Sequence, residues 1–148
     1  MMKNAYASLA AQTAVSGIIM YLVMFVMIDS FDSFYNNLNM LYMTLMMVAP
    51  MVVLMIAAMW HMFPSKAANV VLLVGSVAIF AGSFALIRTQ TTIGDSAFLR
   101  SMIPHHSGAI LMCRKASLHD PEIVRLCRQI KQSQAREIDE MKAILARK

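Results

Sequence analysis

The sequence predicts an all-α protein in which three transmembrane helices precede an antiparallel helical hairpin. Hydrophobic residues make up 59% of the 148 residues and charged residues only 14%, whereas a soluble domain would carry about a quarter charged residues. Three stretches, 9–28, 40–63 and 70–87, contain no Asp, Glu, Lys or Arg. Each is long enough to cross a bilayer as a helix, and no part of the chain shows the alternating pattern of a strand.

Short polar segments join the three apolar stretches. We interpret the first stretch as a retained anchor, with a cleaved signal peptide as the alternative, because no small-residue cleavage site follows it. Residues 29–39 connect it to the second stretch, and residues 64–66 turn the chain into the third. Small residues let helices approach closely in lipid, and one face of the third stretch, expected to meet the second, has four: Gly75, Ala78, Gly82 and Ala85.

A change of composition divides the chain into a membrane region, 1–94, and a helical-hairpin domain, 95–148. The second part holds ten Lys or Arg against six Asp or Glu. No aromatic residue follows Phe98, so the tail lacks the stacking platform of a nucleic-acid-binding protein. A solvated basic helix face is the favoured interpretation, and attraction to anionic lipid headgroups is the alternative.

Capping residues define the two helices of the hairpin. Asp95 is the expected N-cap of a helix that runs to about Ser117. Asp120 and Pro121 then form an N-cap and first position for a second helix that reaches about Ala146. Its inward seam advances by three- and four-residue steps: Ile123, Cys127, Ile130, Gln134, Glu137, Met141 and Ile144.

Charges beside the apolar stretches give conflicting signals about orientation. Lys3 and Lys66 flank one side of the membrane, whereas the connector 29–39 carries the acidic residues. By the positive-inside rule, three crossings then place the hairpin outside the cytoplasm. Arg88 and Arg100 favour the opposite, but we give the short loops more weight, because the tail can translocate as a folded unit.

One face of the first tail helix carries soft metal ligands. Thioether, imidazole and thiol groups together select copper in its reduced state. We therefore favour a metal site over simple packing, although adjacent histidines point about 100° apart and only one need bind directly in a single hairpin. Three- and four-residue steps return to one side of a helix, which groups Met102, His105, His106, Ala109, Met112 and Cys113.

Folding the tail about its turn brings polar residues of both helices to one seam. Polar groups in an apolar seam are costly unless they satisfy each other or hold a ligand. The expected neighbours are Met112 with Cys127, His105 with Gln134, Met102 with Glu137, and Phe98 with Met141.

The two cysteines leave two alternatives open. Cys113 and Cys127 lie near the hairpin tip on facing helices, so outside the cytoplasm they could form a disulfide. In a reducing compartment they would instead be thiol ligands or small buried hydrophobes.

Methionine is unusually frequent, with 16 residues in the chain. The second stretch carries a methionine ladder at four-residue steps. Packing by a flexible apolar side chain is the favoured explanation, and passage of reduced copper along the thioethers is the alternative. The ladder is formed by Met43, Met47, Met51, Met55 and Met59, with His61 and Met62 beyond it.

The tail resembles a known bacterial family. The run FLRSMIPHHSGAILM, the Asp-Pro turn and the run IKQSQAREIDEM are similar to domain-of-unknown-function family 305, a mostly exported, ferritin-like family with a characteristic His-His pair. The resemblance covers about residues 95–146, and the methionine-rich front half resembles a membrane-anchored branch. It implies that two hairpins pair into a four-helix bundle and that copper is bound, since some members are linked to copper tolerance. It carries over to Met102, His105, His106, Met112, Gln134, Glu137 and Met141, whereas Cys113 and Cys127 are not part of the general motif.

We therefore expect a membrane-anchored copper-binding protein of the bacterial envelope, acting in copper buffering, delivery or tolerance. It would lie in the inner membrane with its hairpin in the periplasm, bind Cu⁺, dimerise through the hairpin and meet other copper-handling proteins. Catalysis is not expected, because no nucleophile-base order and no H-E-x-x-H motif is present. The alternatives are a metal-dependent oxidase, which lacks the Glu-x-x-His set of di-iron bundles, a transport subunit, and a metal-free assembly module whose polar seam specifies helix register.

Overall fold

The computed structural model describes residues 5–148, and over that range the chain is helical without any strand. This confirms the predicted all-α class, while Lys3, used above for orientation, lies outside the described residues. Three short 3₁₀ turns, Met24–Met27, Phe31–Ser33 and Trp60–Met62, lie between the longer elements. The five α-helices are α1 Ala5–Val23, α2 Leu38–Ala58, α3 Lys66–Thr89, α4 Asp95–Lys115 and α5 Pro121–Leu145.

Three helices are long and apolar enough to cross a membrane. They are α2, α3 and the segment Ala5–Met27, which joins α1 to the turn that continues it. Large apolar side chains on these helices point away from the protein, as with Leu54 and Val71, each 69% exposed. An outward surface of this kind is typical of helices in contact with lipid or with another protein.

The first of two compact units contains the described residues up to Val23 together with Asn39–Thr92. Its core is built from Leu9, Val52, Ile56 and Phe63. Polar groups are paired at one end of this unit, where the Tyr6 hydroxyl donates to Asn69 Oδ1 at 2.8 Å. The three apolar helices therefore associate through an apolar core with a polar contact at its edge.

The packed face of α3 differs from the predicted small-residue face. Asn69, Ser76 and Ser83 are buried at seven-residue steps, whereas a Cβ atom added at Gly75 or Gly82 would meet nothing within 4 Å. Polar side chains facing lipid are unfavourable, and serine is small enough for close helix contact. These two preferences explain why the face of α3 that carries Asn69 and the two serines is buried, while the face that carries Gly75 and Gly82 is not.

The second unit contains Met24–Leu38 together with Ile93–Lys148. The sequence had grouped the connector with the apolar helices, but in the structure Tyr35 of the connector packs against the hairpin core. That core consists of residues from both hairpin helices: Leu99, Ile103, Ile138 and Met141. The hairpin domain therefore includes the connector, which lies before α2 and α3 in the sequence.

The N-cap of α5 matches the prediction, and the N-cap of α4 does not. Asp120 Oδ1 accepts hydrogen bonds from the backbone amides of Glu122 and Ile123, so it is the N-cap of α5 as expected. The N-cap of α4 is Gly94 rather than Asp95. Asp95 is the first helical residue, and its carboxylate pairs with Lys148.

Candidate metal centre

A disulfide joins the two hairpin helices near their tip. Cys113 of α4 and Cys127 of α5 are bonded, with their Cα atoms 5.3 Å apart. A cross-link that closes a loop of about 15 residues stabilises a fold by about 3 kcal/mol in the chain-entropy treatment. Of the two alternatives left open by the sequence, the structure contains the disulfide, and in that state neither sulfur can act as a thiolate ligand.

His106 and Glu137 form the one polar pair across the middle of the seam in the described hairpin. His106 Nδ1 lies 3.2 Å from Glu137 Oε2, but the two groups are not aligned for a hydrogen bond, and Nδ1 is buried without a hydrogen-bond partner. A buried imidazole nitrogen without a partner is costly. It is also the atom that a metal ion could use, because a ligating histidine binds through a neutral ring nitrogen.

Burial lowers the pKa of His106. Desolvation disfavours the charged imidazolium most strongly, the Glu137 carboxylate acts in the opposite direction, and nearby His105 lowers the pKa further. The imidazole is therefore neutral at neutral pH. Since a proton and a metal ion compete for the same nitrogen, this environment favours metal binding.

The rotation of α4 departs from the prediction at this site, although the Cys113–Cys127 bond keeps the register of the hairpin within one residue of it. Met102 was expected opposite Glu137 and His105 opposite Gln134, but the residue beside Glu137 is His106. The physical reason is burial of Ile103, which is fully inaccessible. Turning α4 so that Ile103 faces α5 buries more apolar surface than placing His105 in the seam would.

His105 and Met112 lie on the outer flank of α4 and not in the seam. His105 is exposed, Met112 is 54% exposed, and the rings of His105 and His106 have centroids 6.0 Å apart. The two histidines thus point in different directions, as helical geometry requires. The proposed ligand face is divided between the hairpin seam and an outer surface.

The thioethers of Met102 and Met141 lie one helical turn from the polar pair. Met102 precedes His106 by four residues on α4, and Met141 follows Glu137 by four on α5, so each shares a face with its polar neighbour. Met141 is buried in the hairpin core and Met102 packs against that core. Gln134, one turn before Glu137 on the other side, is partly buried.

No three side chains of His, Cys, Asp or Glu come together as a metal site within residues 5–148. The hairpin supplies one imidazole, one carboxylate and nearby thioethers. Such a set suits a soft monovalent ion that accepts sulfur ligands, and it does not suit an ion that requires several carboxylates.

The connector and the 3₁₀ turn Met24–Met27 before it contact α4 directly after the histidine pair. The backbone amide of Asp29 donates to Ser107 Oγ at 2.7 Å, and a Cβ atom at Gly108 would lie 3.4 Å from the Met27 carbonyl oxygen. The Asp29 carboxylate pairs with Arg114 at 2.8 Å. These contacts hold α4 at two places along the helix, at Ser107–Gly108 and at Arg114. The sequence did not predict them.

The other hairpin helix is tied to the connector by Lys142. Its ammonium pairs with the Asp32 carboxylate, and this hydrogen bond, with one from Ser30, lowers the pKa of Asp32. The connector therefore contacts both helices that contribute to the His106–Glu137 pair. The signal available in the sequence was the small Ser-Gly step directly after the histidines, which permits close approach of another backbone.

The methionine ladder of α2 does not form a single face. Four residues turn a helix by 40° beyond a full revolution, so five methionines at this step move steadily around the helix. Met43 and Met47 are 46% and 49% exposed, whereas Met51 and Met55 are partly buried. A continuous line of thioethers facing the interior is therefore absent from α2.

The fold and the candidate site together define an all-helical protein with three helices apolar enough to span a membrane and a disulfide-linked hairpin that carries a histidine pair. The chain belongs to the family described as "Domain of unknown function (DUF305)", whose match covers residues 83–145. It is also 38% identical over 107 residues to "Uncharacterized protein L153" of Acanthamoeba polyphaga mimivirus, covering 70% of this chain and 68% of that protein. No solved structure matches the chain significantly.

Proposed function

We propose that the hairpin binds reduced copper and that the protein buffers, delivers or confers tolerance to this metal at a membrane. The observation that carries the proposal is the buried His106 Nδ1, which has no hydrogen-bond partner and lies 3.2 Å from Glu137 Oε2. Together with Met102 and Met141 one turn away, it offers nitrogen, oxygen and sulfur donors in a partly dry seam. Cu⁺ accepts such a mixture.

Each residue of the site would have its own role in binding copper. His106 would provide the direct nitrogen ligand, Met102 and Met141 would provide thioethers, and Glu137 would orient the imidazole or bind directly. The connector would hold α4 in place through Ser107, because second-layer contacts orient metal ligands. Copper supplies the soft Lewis-acid centre, and the protein supplies a stable set of donors.

A second copy of the chain would complete the site. Phe98 and Met112 are exposed, and with His105 they form an outer stripe of α4 at seven-residue steps, the spacing of a helix-packing seam. Pairing two hairpins over this stripe would give a four-helix bundle. Sedimentation equilibrium of the full chain should then show a dimer that Met112→Glu dissociates and Met112→Leu preserves.

We propose that the three apolar helices cross the membrane and that the hairpin lies on the non-cytoplasmic side. Three crossings place the connector and the hairpin on the same side, which agrees with the contact of Asp29 with Ser107. The disulfide favours an oxidising compartment. The family resemblance suggests the bacterial inner membrane, with the hairpin in the periplasm.

A metal-free assembly module is the second candidate function. It is supported by the absence, within the described residues, of three His, Cys, Asp or Glu side chains at one site. In this case the His106–Glu137 pair would serve to fix helix register. Metal analysis separates the two: full-length protein exposed to Cu⁺ with ascorbate and then desalted should retain copper, and His106→Ala should retain one equivalent less. Equal copper content in the unchanged protein and in His106→Ala would favour the assembly module.

A further inference from the structure

A small cavity in the first unit is bordered by three methionine side chains. Its volume is about 80 Å³, and its walls include Met55, Met59 and Met62. Met55 belongs to α2, Met59 follows the end of that helix, and Met62 lies in the 3₁₀ turn Trp60–Met62. All three side chains line the same cavity although they come from a helix, its end and the following turn.

The opposite wall of the cavity comes from α1 and carries two polar side chains. Gln12 Nε2 donates to Ser8 Oγ at 3.5 Å, and both residues line the cavity. Leu9 and Phe63 supply the apolar part of the wall and belong to the core of this unit. The cavity therefore combines soft sulfur atoms with an amide and a hydroxyl, next to a packed core.

Simple filling by flexible side chains does not explain this arrangement. Methionine adapts its shape to occupy gaps, yet here three methionines border a space of about 80 Å³, larger than the roughly 10–15 Å³ of accessible volume that one water molecule needs. Met62 is 57% exposed, and the cavity lies where α2 ends and a short turn begins. A cation could therefore enter from the aqueous boundary without crossing the apolar region.

We propose that Met55, Met59 and Met62 form a second site for a soft monovalent cation, Cu⁺ or Ag⁺. Thioethers are neutral and polarisable, so they favour soft ions. They bind Mg²⁺, Ca²⁺ and Zn²⁺ weakly, because these ions prefer oxygen or anionic ligands. The amide of Gln12 would complete the polar surroundings of the ion. This site lies in the first unit and does not depend on the hairpin site.

The test uses full-length protein in detergent with the hairpin ligands removed by His105→Ala and His106→Ala. In this background, Ag⁺ titration should show one bound equivalent. The triple variant Met55→Leu, Met59→Leu and Met62→Leu should weaken that binding at least tenfold, because leucine keeps the approximate volume but lacks sulfur. The matched control is Met43→Leu, Met47→Leu and Met51→Leu on the same helix, which should bind as the background does.

X-ray absorption of the silver-loaded background protein gives a readout that does not depend on the folding of any methionine variant. The proposal predicts a first shell dominated by three sulfur atoms. A shell of nitrogen and oxygen alone would overturn it. Equal affinity of the two triple variants, or no bound silver in the background protein, would also overturn it.

Discussion

The backbone amide of Asp29 donates a hydrogen bond to the hydroxyl of Ser107, the residue that directly follows the histidine pair. Ser107 is only 1% exposed, so water has little access to its hydroxyl. The bond links the connector to the helix that carries His106. It is one of the contacts that attach the connector to the hairpin, together with the Asp29–Arg114 and Asp32–Lys142 ion pairs.

Ser107→Ala should destabilise the hairpin unit by about 1–3 kcal/mol, because the partly buried Asp29 amide loses its acceptor. The matched control is Ser101→Ala on the same helix, where the hydroxyl donates a hydrogen bond to the Ala97 carbonyl of its own helix. Thermal unfolding followed by circular dichroism compares the two variants with the unchanged protein. Equal losses for Ser107 and Ser101 would show that the connector contact contributes little.

Stability should fall as the pH is lowered from about 6.5, and His106 should be responsible. Its folded-state pKa is lowered from 6.5, chiefly by burial, so the unfolded chain takes up a proton first as the pH falls. Unfolding free energy therefore decreases through the window between 6.5 and the lower folded-state pKa. His106→Gln should flatten the difference between pH 7 and pH 5.5, whereas exposed His119→Gln should retain it. An unchanged slope in His106→Gln would contradict this assignment.

Removal of the disulfide should lower stability by about 3 kcal/mol without removing the copper site. Cys113→Ser with Cys127→Ser opens the cross-link near the hairpin tip, while His106 and its neighbours keep their places. Denaturant unfolding gives the first quantity, and Cu⁺ stoichiometry with ascorbate gives the second. Loss of copper binding in the double variant, with helical content preserved, would show that the sulfur atoms are ligands after all.

The hairpin should be accessible only from the non-cytoplasmic side of the membrane. The chain has two cysteines, so after mild reduction a membrane-impermeant thiol reagent should label intact cells at Cys113 or Cys127. The Cys113→Ser, Cys127→Ser variant provides the unlabelled control. A reporter that is active only in the cytoplasm, fused after Lys148, should stay inactive, and clear activity would reverse the proposed orientation.

The sequence predicted the helices of the hairpin well because their signals are local. Asp120 and Pro121 start α5 where expected, and the Cys113–Cys127 bond lies within one residue of the predicted register. The rotation of α4 was not predictable in the same way. It depends on whether Ile103 or His105 enters the seam, and that choice is made by packing between helices.

The connector contacts were missed for a similar reason. Asp29 and Ser107 are separated by 78 positions, and no periodic pattern relates them. The face of α3 was also misassigned, because glycine and alanine spacing indicates that a helix can pack closely but does not identify its neighbour. Buried Asn69, with its hydrogen bond from Tyr6, decided that face.

Competition for Cu⁺ against a chromogenic chelator tests the central claim most directly. The comparison is between His105→Ala with His106→Ala and Met47→Leu with Met51→Leu, both in the full-length protein with ascorbate present. We predict that the histidine variant loses at least tenfold in affinity for the tighter-bound copper and that the methionine variant binds as the unchanged protein does. Equal affinity of the two variants would contradict a copper site in the hairpin.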